Sequence, residues 1–212
     1  MITTNGLEQT LDGYVSLVVP AMLRAGYHLR LAKGGPDYPH LAEQSHFAHV
    51  INGIFGTAQL LRFLVDQDPD DLDLDEQGLR KVLALFSLHE VHKAIGYEKM
   101  GNGEFAIPLE RVRAEYESLG MESFASLDDH LIRAANVHKR SDKQGDLLLS
   151  DDPKAARLWL WVRIADTFAS ITAPSEAMDV LPGYLSDLAP AFASKSPPGR
   201  YALYYHELKD VR

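Results

Sequence analysis

The feature that most constrains the fold of this chain is a helical repeat of apolar residues. Within residues 41–65, apolar side chains recur mostly at steps of three and four, at positions 47, 50, 51, 54, 55, 58, 61 and 64. This spacing places them on one face of an α-helix, where a neighbouring element can bury them. Strand-like alternation is weak and confined to residues 200–208. The sequence therefore predicts an all-α bundle of five to seven helices, with a short strand near the C-terminus.

Residues that commonly interrupt, cap or open helices predict where the other helices lie. Periodicity over residues 7–32 predicts one helix, or two helices interrupted at Pro20, because proline cannot donate the backbone hydrogen bond. Further helices are predicted over residues 79–95, 109–119, 126–138 and 153–172, with another from 174. Their expected caps are Asp75, then Ser126 in a capping box with Asp129, and Asp151 or Asp152 ahead of Pro153.

The absence of cysteine limits the chemistry that this chain can perform. It excludes disulfides, thiolate nucleophiles and thiolate metal sites, so any metal site must use histidine, aspartate and glutamate. The apolar stretch at residues 15–23 is interrupted by Pro20 and is too short to cross a bilayer. Nothing near the N-terminus is typical of a secretory signal. We therefore expect a cytoplasmic protein with no membrane partner.

The net charge of −9 argues against a protein that binds nucleic acid without a partner, since neutralisation of phosphate charge supplies most of the affinity for nucleic acid. Contact with nucleic acid would need a partner or a local basic patch. The candidate patch comprises Arg133, His138, Lys139, Arg140 and Lys143. The alternative is that these residues form an ordinary solvated loop.

Two short segments combine residue types that bind metals. LHEVHK (residues 88–93) ends an apolar helical run with a histidine–acid pair, and RIAD (163–166) places an aspartate in an apolar helix. Imidazole and carboxylate groups that converge from distant helices can hold a divalent metal for hydrolysis. Adjacent helical residues diverge by about 100°, so His89 and Glu90 can both face one ion only near a helix end. The His-Glu-x-x-His motif of zinc proteases is disfavoured, since Lys93 holds the place of its second histidine.

Together with a histidine-bearing helix ahead of them, these segments resemble the HD superfamily of metal-dependent phosphohydrolases. The positions that carry the resemblance are His46, His49, His89, Glu90, Lys93, His138 and Asp166. The run at 163–171, the following APSEA (173–177), the opening run at 43–55 and YYHEL (204–208) resemble HD nuclease domains of CRISPR effector large subunits, above all those of type I-D. The resemblance implies that residues 1–212 form a single HD-like helical domain, isolated or N-terminal in a larger protein, with residues 200–212 as the place where a following domain would start.

The resemblance also implies an activity and a set of site residues. It implies a nuclease that cuts DNA, single-stranded after unwinding, with a helicase and other CRISPR effector subunits as partners. It implies one or two divalent ions, Mn²⁺, Ni²⁺, Co²⁺, Fe²⁺ or Mg²⁺. The implied ligands are His49, His89, Glu90 and Asp166, with His138 as the extra histidine of two-metal members and His46 as a second ligand or a supporting group. The implied catalytic residues are His89, Glu90, Lys93 and Asp166, of which Lys93 stabilises a phosphate oxygen or the leaving group.

Glu90 departs from the family pattern, in which aspartate follows the histidine. The extra methylene moves the carboxylate by more than about 1 Å, which exceeds the roughly 0.5 Å tolerance of an organised site. Two alternatives to the nuclease stay open. One is an HD phosphohydrolase that acts on free nucleotides, and the other is a catalytically weakened HD-like scaffold within the CRISPR complex.

Overall fold

The computed structural model describes residues 1–33, 43–67, 72–91, 98–99, 105–106, 109–135 and 152–169. These residues contain six α-helices: α1 (Thr4–Arg24), α2 (His46–Gln67), α3 (Glu76–Leu88), α4 (Leu109–Ser118), α5 (Asp129–Ala135) and α6 (Pro153–Ala169). They also form two short antiparallel pairs, β1 (Leu31–Lys33) with β2 (Gln44–Ser45) and β3 (Glu98–Lys99) with β4 (Phe105–Ala106). The all-α prediction is therefore confirmed.

The helix with the strongest apolar repeat, α2, is the central element and packs against α1, α3 and α6. Val50, Leu61 and Leu64 of the predicted stripe are fully buried. Phe55 was predicted on the same stripe but is 64% exposed, because it lies at the edge of a face that the bundle covers only in part. The apolar stripe therefore predicts the helix and the residues at the centre of its buried face, but not which residues at the edge of that face are exposed.

Two glycines let α6 approach α2 closely. A Cβ atom on Gly53 would lie 2.6 Å from the carbonyl oxygen of Ala165, and one on Gly56 would lie 2.6 Å from Cβ of Phe168. Side chains larger than hydrogen at these positions would force the helices apart. The close approach brings the first half of α2 against the last turns of α6.

Side-chain caps define several helix starts. Asp75 Oδ1 accepts a hydrogen bond from Gly78 N at 2.7 Å, and Asp152 Oδ1 accepts from Ala155 N at 3.1 Å, which confirms both predicted caps. The predicted cap at Ser126 is wrong. Asp128 Oδ1 accepts from Leu131 N at 2.8 Å instead, because the helix begins at Asp129.

Three predicted helix boundaries are also wrong. Of the two alternatives for residues 7–32, the single helix is confirmed, since Pro20 lies inside α1, but this helix ends at Arg24 rather than at 32. Gly26 then adopts a left-handed φ of 78°. The helix α2 begins at His46 rather than at 41, because Ser45 Oγ caps it by accepting from Ala48 N at 3.1 Å. The helix α3 ends at Leu88 rather than at 95.

Other predictions fall outside the described residues, namely the helix from 174, the strand at 200–208 and the ends of the helices predicted to reach 138 and 172. Within the described part of the chain, one stretch is long and apolar enough to cross a membrane, His46–Asp66 in α2. The stretch qualifies by length and composition only, and 56% of its most apolar window is buried inside the bundle.

Candidate metal centre

Four potential ligands meet where three helices come together. His49 lies in the first turn of α2, His89 and Glu90 directly follow α3, and Asp166 lies in the last turn of α6. One nitrogen or oxygen atom from each residue lies within 4.8 Å of all the others. His89 and Glu90 therefore lie at a helix end, where two adjacent residues can face one ion.

The distances in this cluster fit a shared metal ion. His49 Nε2 lies 3.3 Å from His89 Nε2, 3.5 Å from Glu90 Oε2 and 3.4 Å from Asp166 Oδ1. His89 Nε2 lies 3.5 Å from the same Asp166 oxygen. Neighbouring ligands bonded at about 2.1 Å to one ion lie about 3.0 Å apart in octahedral and about 3.4 Å apart in tetrahedral coordination. These four distances are close to those values, and the pairs of Glu90 with His89 and with Asp166 lie within 4.8 Å, so the cluster could hold a metal ion.

A buried oxygen of Asp166 supports the same conclusion. The side chain is 23% exposed overall, but Oδ1 is buried and has no hydrogen-bond partner within the part of the chain that the structure describes. A buried carboxylate oxygen without such a partner is costly, and a cation between it and the two imidazoles would compensate.

The imidazole of His89 is held in the orientation that a ligand needs. Its Nδ1 lies 2.5 Å from the carbonyl oxygen of Phe86, which can only accept, so Nδ1 carries the hydrogen and Nε2 presents its lone pair to the cluster. The ring also stacks on Phe86, with centroids 4.3 Å apart and planes 16° apart. The hydrogen bond and the stacking together determine that Nε2 of His89 faces the other ligands.

Burial and charge set the protonation of the cluster. Burial, with a smaller effect from His89, lowers the pKa of His49 by more than the carboxylates of Asp166 and Glu90 raise it, so its ring is neutral at pH 7. Burial alone would raise the pKa of Asp166. When the imidazoles of His49 and His89 are protonated, their hydrogen bonds and charge outweigh burial and hold that pKa well below its ordinary value. A neutral imidazole beside a carboxylate is the combination that a divalent ion requires.

We expect affinity for Mn²⁺ to be nearly constant from pH 8 to pH 7 and to fall at lower pH. A metal binds the unprotonated imidazole, and protons compete for His49 only below its ordinary pKa of 6.5, while Asp166 stays ionised. Affinity should fall by up to about tenfold per pH unit for each displaced proton. Calorimetric titrations from pH 8 to pH 5 measure this, and tighter binding on acidification would contradict it.

The structure describes only some of the remaining predicted residues. His46 is buried and stacks on Tyr27, with ring centroids 4.6 Å apart, and the structure does not bring it into the cluster. Lys93, His138 and the patch residues 139, 140 and 143 lie outside the described residues, and for Arg133 only the backbone is described. The sequence-based prediction did not single out Gln44, which contacts His49.

Comparisons with protein-family models, with curated proteins and with solved structures find no match to this chain. The capacity to bind a metal therefore rests on the geometry and charge of the four residues. The resemblance to HD enzymes remains a prediction from the sequence.

Proposed function

We propose that this chain is a metal-dependent HD-type nuclease domain that hydrolyses phosphodiester bonds in single-stranded DNA. The observation that carries the proposal is the convergence of His49, His89, Glu90 and Asp166 within 4.8 Å. These are four of the six ligands that the sequence resemblance implies, and they come from three helical segments far apart in the chain. Such a convergence is what a hydrolytic metal site needs and what a stable helical core does not.

The donor set favours particular metals. Two imidazole nitrogens and two carboxylate oxygens suit Mn²⁺, Fe²⁺, Co²⁺ or Ni²⁺, and the carboxylates also suit Mg²⁺. A divalent ion bound there would lower the pKa of a coordinated water and neutralise charge on the scissile phosphate. Glu90 and Asp166 balance the charge of one such ion, while the neutral histidines add none. The proposed roles of Lys93 and His138 stay predictions.

Side-chain exposure differs among the cluster residues. His49 is fully buried, whereas the side chains of Glu90 and Asp166 are 14% and 23% exposed, although the oxygens that face the cluster are buried. We propose that water and the phosphate approach from the carboxylate side. The net charge of −9 favours delivery of the DNA by a partner, and we propose a helicase and other CRISPR effector subunits for that role.

The proposal is tested with circular single-stranded DNA and Mn²⁺. We expect the wild type to linearise the circle, and His89→Ala and Asp166→Ala to reduce cleavage to background while the far-ultraviolet helical signal persists. His130→Ala is the matched control, because His130 is an exposed histidine in α5 outside the cluster. Cleavage that survives both ligand substitutions would contradict the proposal, and turnover of free nucleotides without DNA cleavage would favour the nucleotide hydrolase.

A non-catalytic scaffold is the second candidate, and Glu90 is the observation that favours it. Glutamate stands where the resembled family has aspartate, although Glu90 Oε2 still lies 3.5 Å from His49 Nε2. Glu90→Asp distinguishes the two functions. If the wild type binds no metal and Glu90→Asp creates no cleavage, the scaffold is correct; cleavage by either protein favours the nuclease.

A further inference from the structure

We infer that Gln44 is a positioning residue of the metal centre, which sets the orientation of the His49 imidazole and ties it to the end of α6. The inference rests on the proposed function, because it assigns His49 as a ligand. Gln44 lies in β2 directly before α2 and is 8% exposed. It is not one of the four cluster residues. Its backbone is anchored by pairing with Lys33 of β1.

The carbonyl group of Ala169 determines which way the Gln44 amide faces. Gln44 Nε2 donates to Ala169 O at 3.3 Å. A carbonyl oxygen can only accept, so the amide nitrogen must face Ala169 and the amide oxygen must face away from it. Ala169 is the last residue of α6, whose final carbonyls lack partners within the helix. The hydrogen bond therefore satisfies a terminal carbonyl and orients the amide at once.

The amide oxygen in turn selects the tautomer of His49. Gln44 Oε1 lies 3.2 Å from His49 Nδ1, and because the oxygen only accepts, Nδ1 must carry the hydrogen. The lone pair is then on Nε2, the atom that lies 3.3 Å from His89 Nε2 and 3.4 Å from Asp166 Oδ1. Partners of this kind orient ligating histidines and raise their basicity. Gln44 thus does for His49 what the Phe86 carbonyl does for His89.

Gln44 also couples two of the helices that supply cluster residues. Asp166 lies one helical turn before Ala169 in α6, and His49 lies in the first turn of α2. A single buried amide therefore holds the end of one ligand-bearing helix and the imidazole of the other. Loss of Gln44 should loosen both without removing a ligand.

The test compares Gln44→Leu with Gln44→Glu in the full chain. Leucine has a similar size and removes both side-chain hydrogen bonds. Glutamate loses the hydrogen bond to Ala169 but keeps an acceptor oxygen for His49 Nδ1. ¹⁵N NMR of the metal-free proteins reports which His49 nitrogen carries the hydrogen, and calorimetry with Mn²⁺ reports affinity. We expect Gln44→Leu to lose the Nδ1–H form and to bind Mn²⁺ about 10- to 100-fold more weakly, and Gln44→Glu to keep that form and stay within about threefold of the wild type.

The outcomes separate this inference from the proposed function. If His49 keeps its Nδ1–H form in Gln44→Leu, or if both variants lose affinity equally with no change of tautomer, the inference is overturned. If the wild type itself binds no Mn²⁺, the proposed function fails. The tautomer comparison in the metal-free proteins then still decides whether Gln44 orients His49.

Discussion

Replacing His49 with alanine is expected to weaken Mn²⁺ binding by more than about 100-fold, because residues that only support a ligand already cost about 10- to 100-fold. His49 Nε2 is the atom that lies within 3.5 Å of a donor atom from each of the other three residues. Its loss removes one ligand and leaves Asp166 without one of its two neighbouring imidazoles. Isothermal titration with Mn²⁺ measures the change directly.

His130→Ala is the control for a general effect of losing a histidine, since His130 is exposed in α5. We expect its affinity to equal that of the wild type. Because His49 is buried, thermal unfolding of the metal-free His49→Ala protein must be measured as well. A folded His49→Ala protein with wild-type affinity would show that the ion binds elsewhere.

Gly53→Ala is expected to lower the free energy of unfolding by about 1–3 kcal/mol, the usual cost of overpacking a core. In an unconstrained helix the same change stabilises by up to about 1 kcal/mol. Here the new Cβ would lie 2.4 Å from the Phe86 ring and 2.6 Å from the Ala165 carbonyl oxygen. The oxygen belongs to the backbone of α6, so relief requires the helices to separate. Because Phe86 stacks on His89, we expect weaker Mn²⁺ binding as well.

Gly13→Ala provides a matched control in the interior of α1. A Cβ there would lie 3.7 Å from the Phe124 ring, an ordinary contact, so the helix propensity of alanine should stabilise the protein by up to about 1 kcal/mol. Urea unfolding of both variants gives the two free energies. Equal stability of Gly53→Ala and Gly13→Ala would show that α2 and α6 do not pack closely at Gly53.

Local signals in the sequence predict much of this fold because they act over a few residues. Asp75 and Asp152 cap the helices that follow them, as their side-chain chemistry requires. The apolar stripe predicts α2 and its buried face. Asp166 could be chosen in advance because a carboxylate in an otherwise apolar helix is costly unless it has a partner. The assignment of His49 and Glu90 as ligands comes from the resemblance to HD enzymes, which also implies His46, a residue outside the cluster.

Other features depend on contacts between distant segments and could not be predicted in this way. The end of α3 at Leu88 is not marked by glycine or proline, and Val91 remains buried beyond it. Pro20 sits in the last part of α1, where the loss of one backbone hydrogen bond is tolerated by a packed helix. Gln44 gains its role from Ala169, which is 125 residues away in sequence. The start of α2 at His46 could have been predicted from Ser45, since serine is a preferred N-cap residue.

Anomalous scattering from crystals soaked in Mn²⁺ tests the central claim most directly. The expected result is one strong peak bonded to His49 Nε2, His89 Nε2, Glu90 and Asp166, with bond lengths of about 2.0–2.2 Å. The peak should be absent in Asp166→Ala crystals soaked in the same way. A wild-type crystal saturated with Mn²⁺ that shows no peak between these four residues would contradict the account.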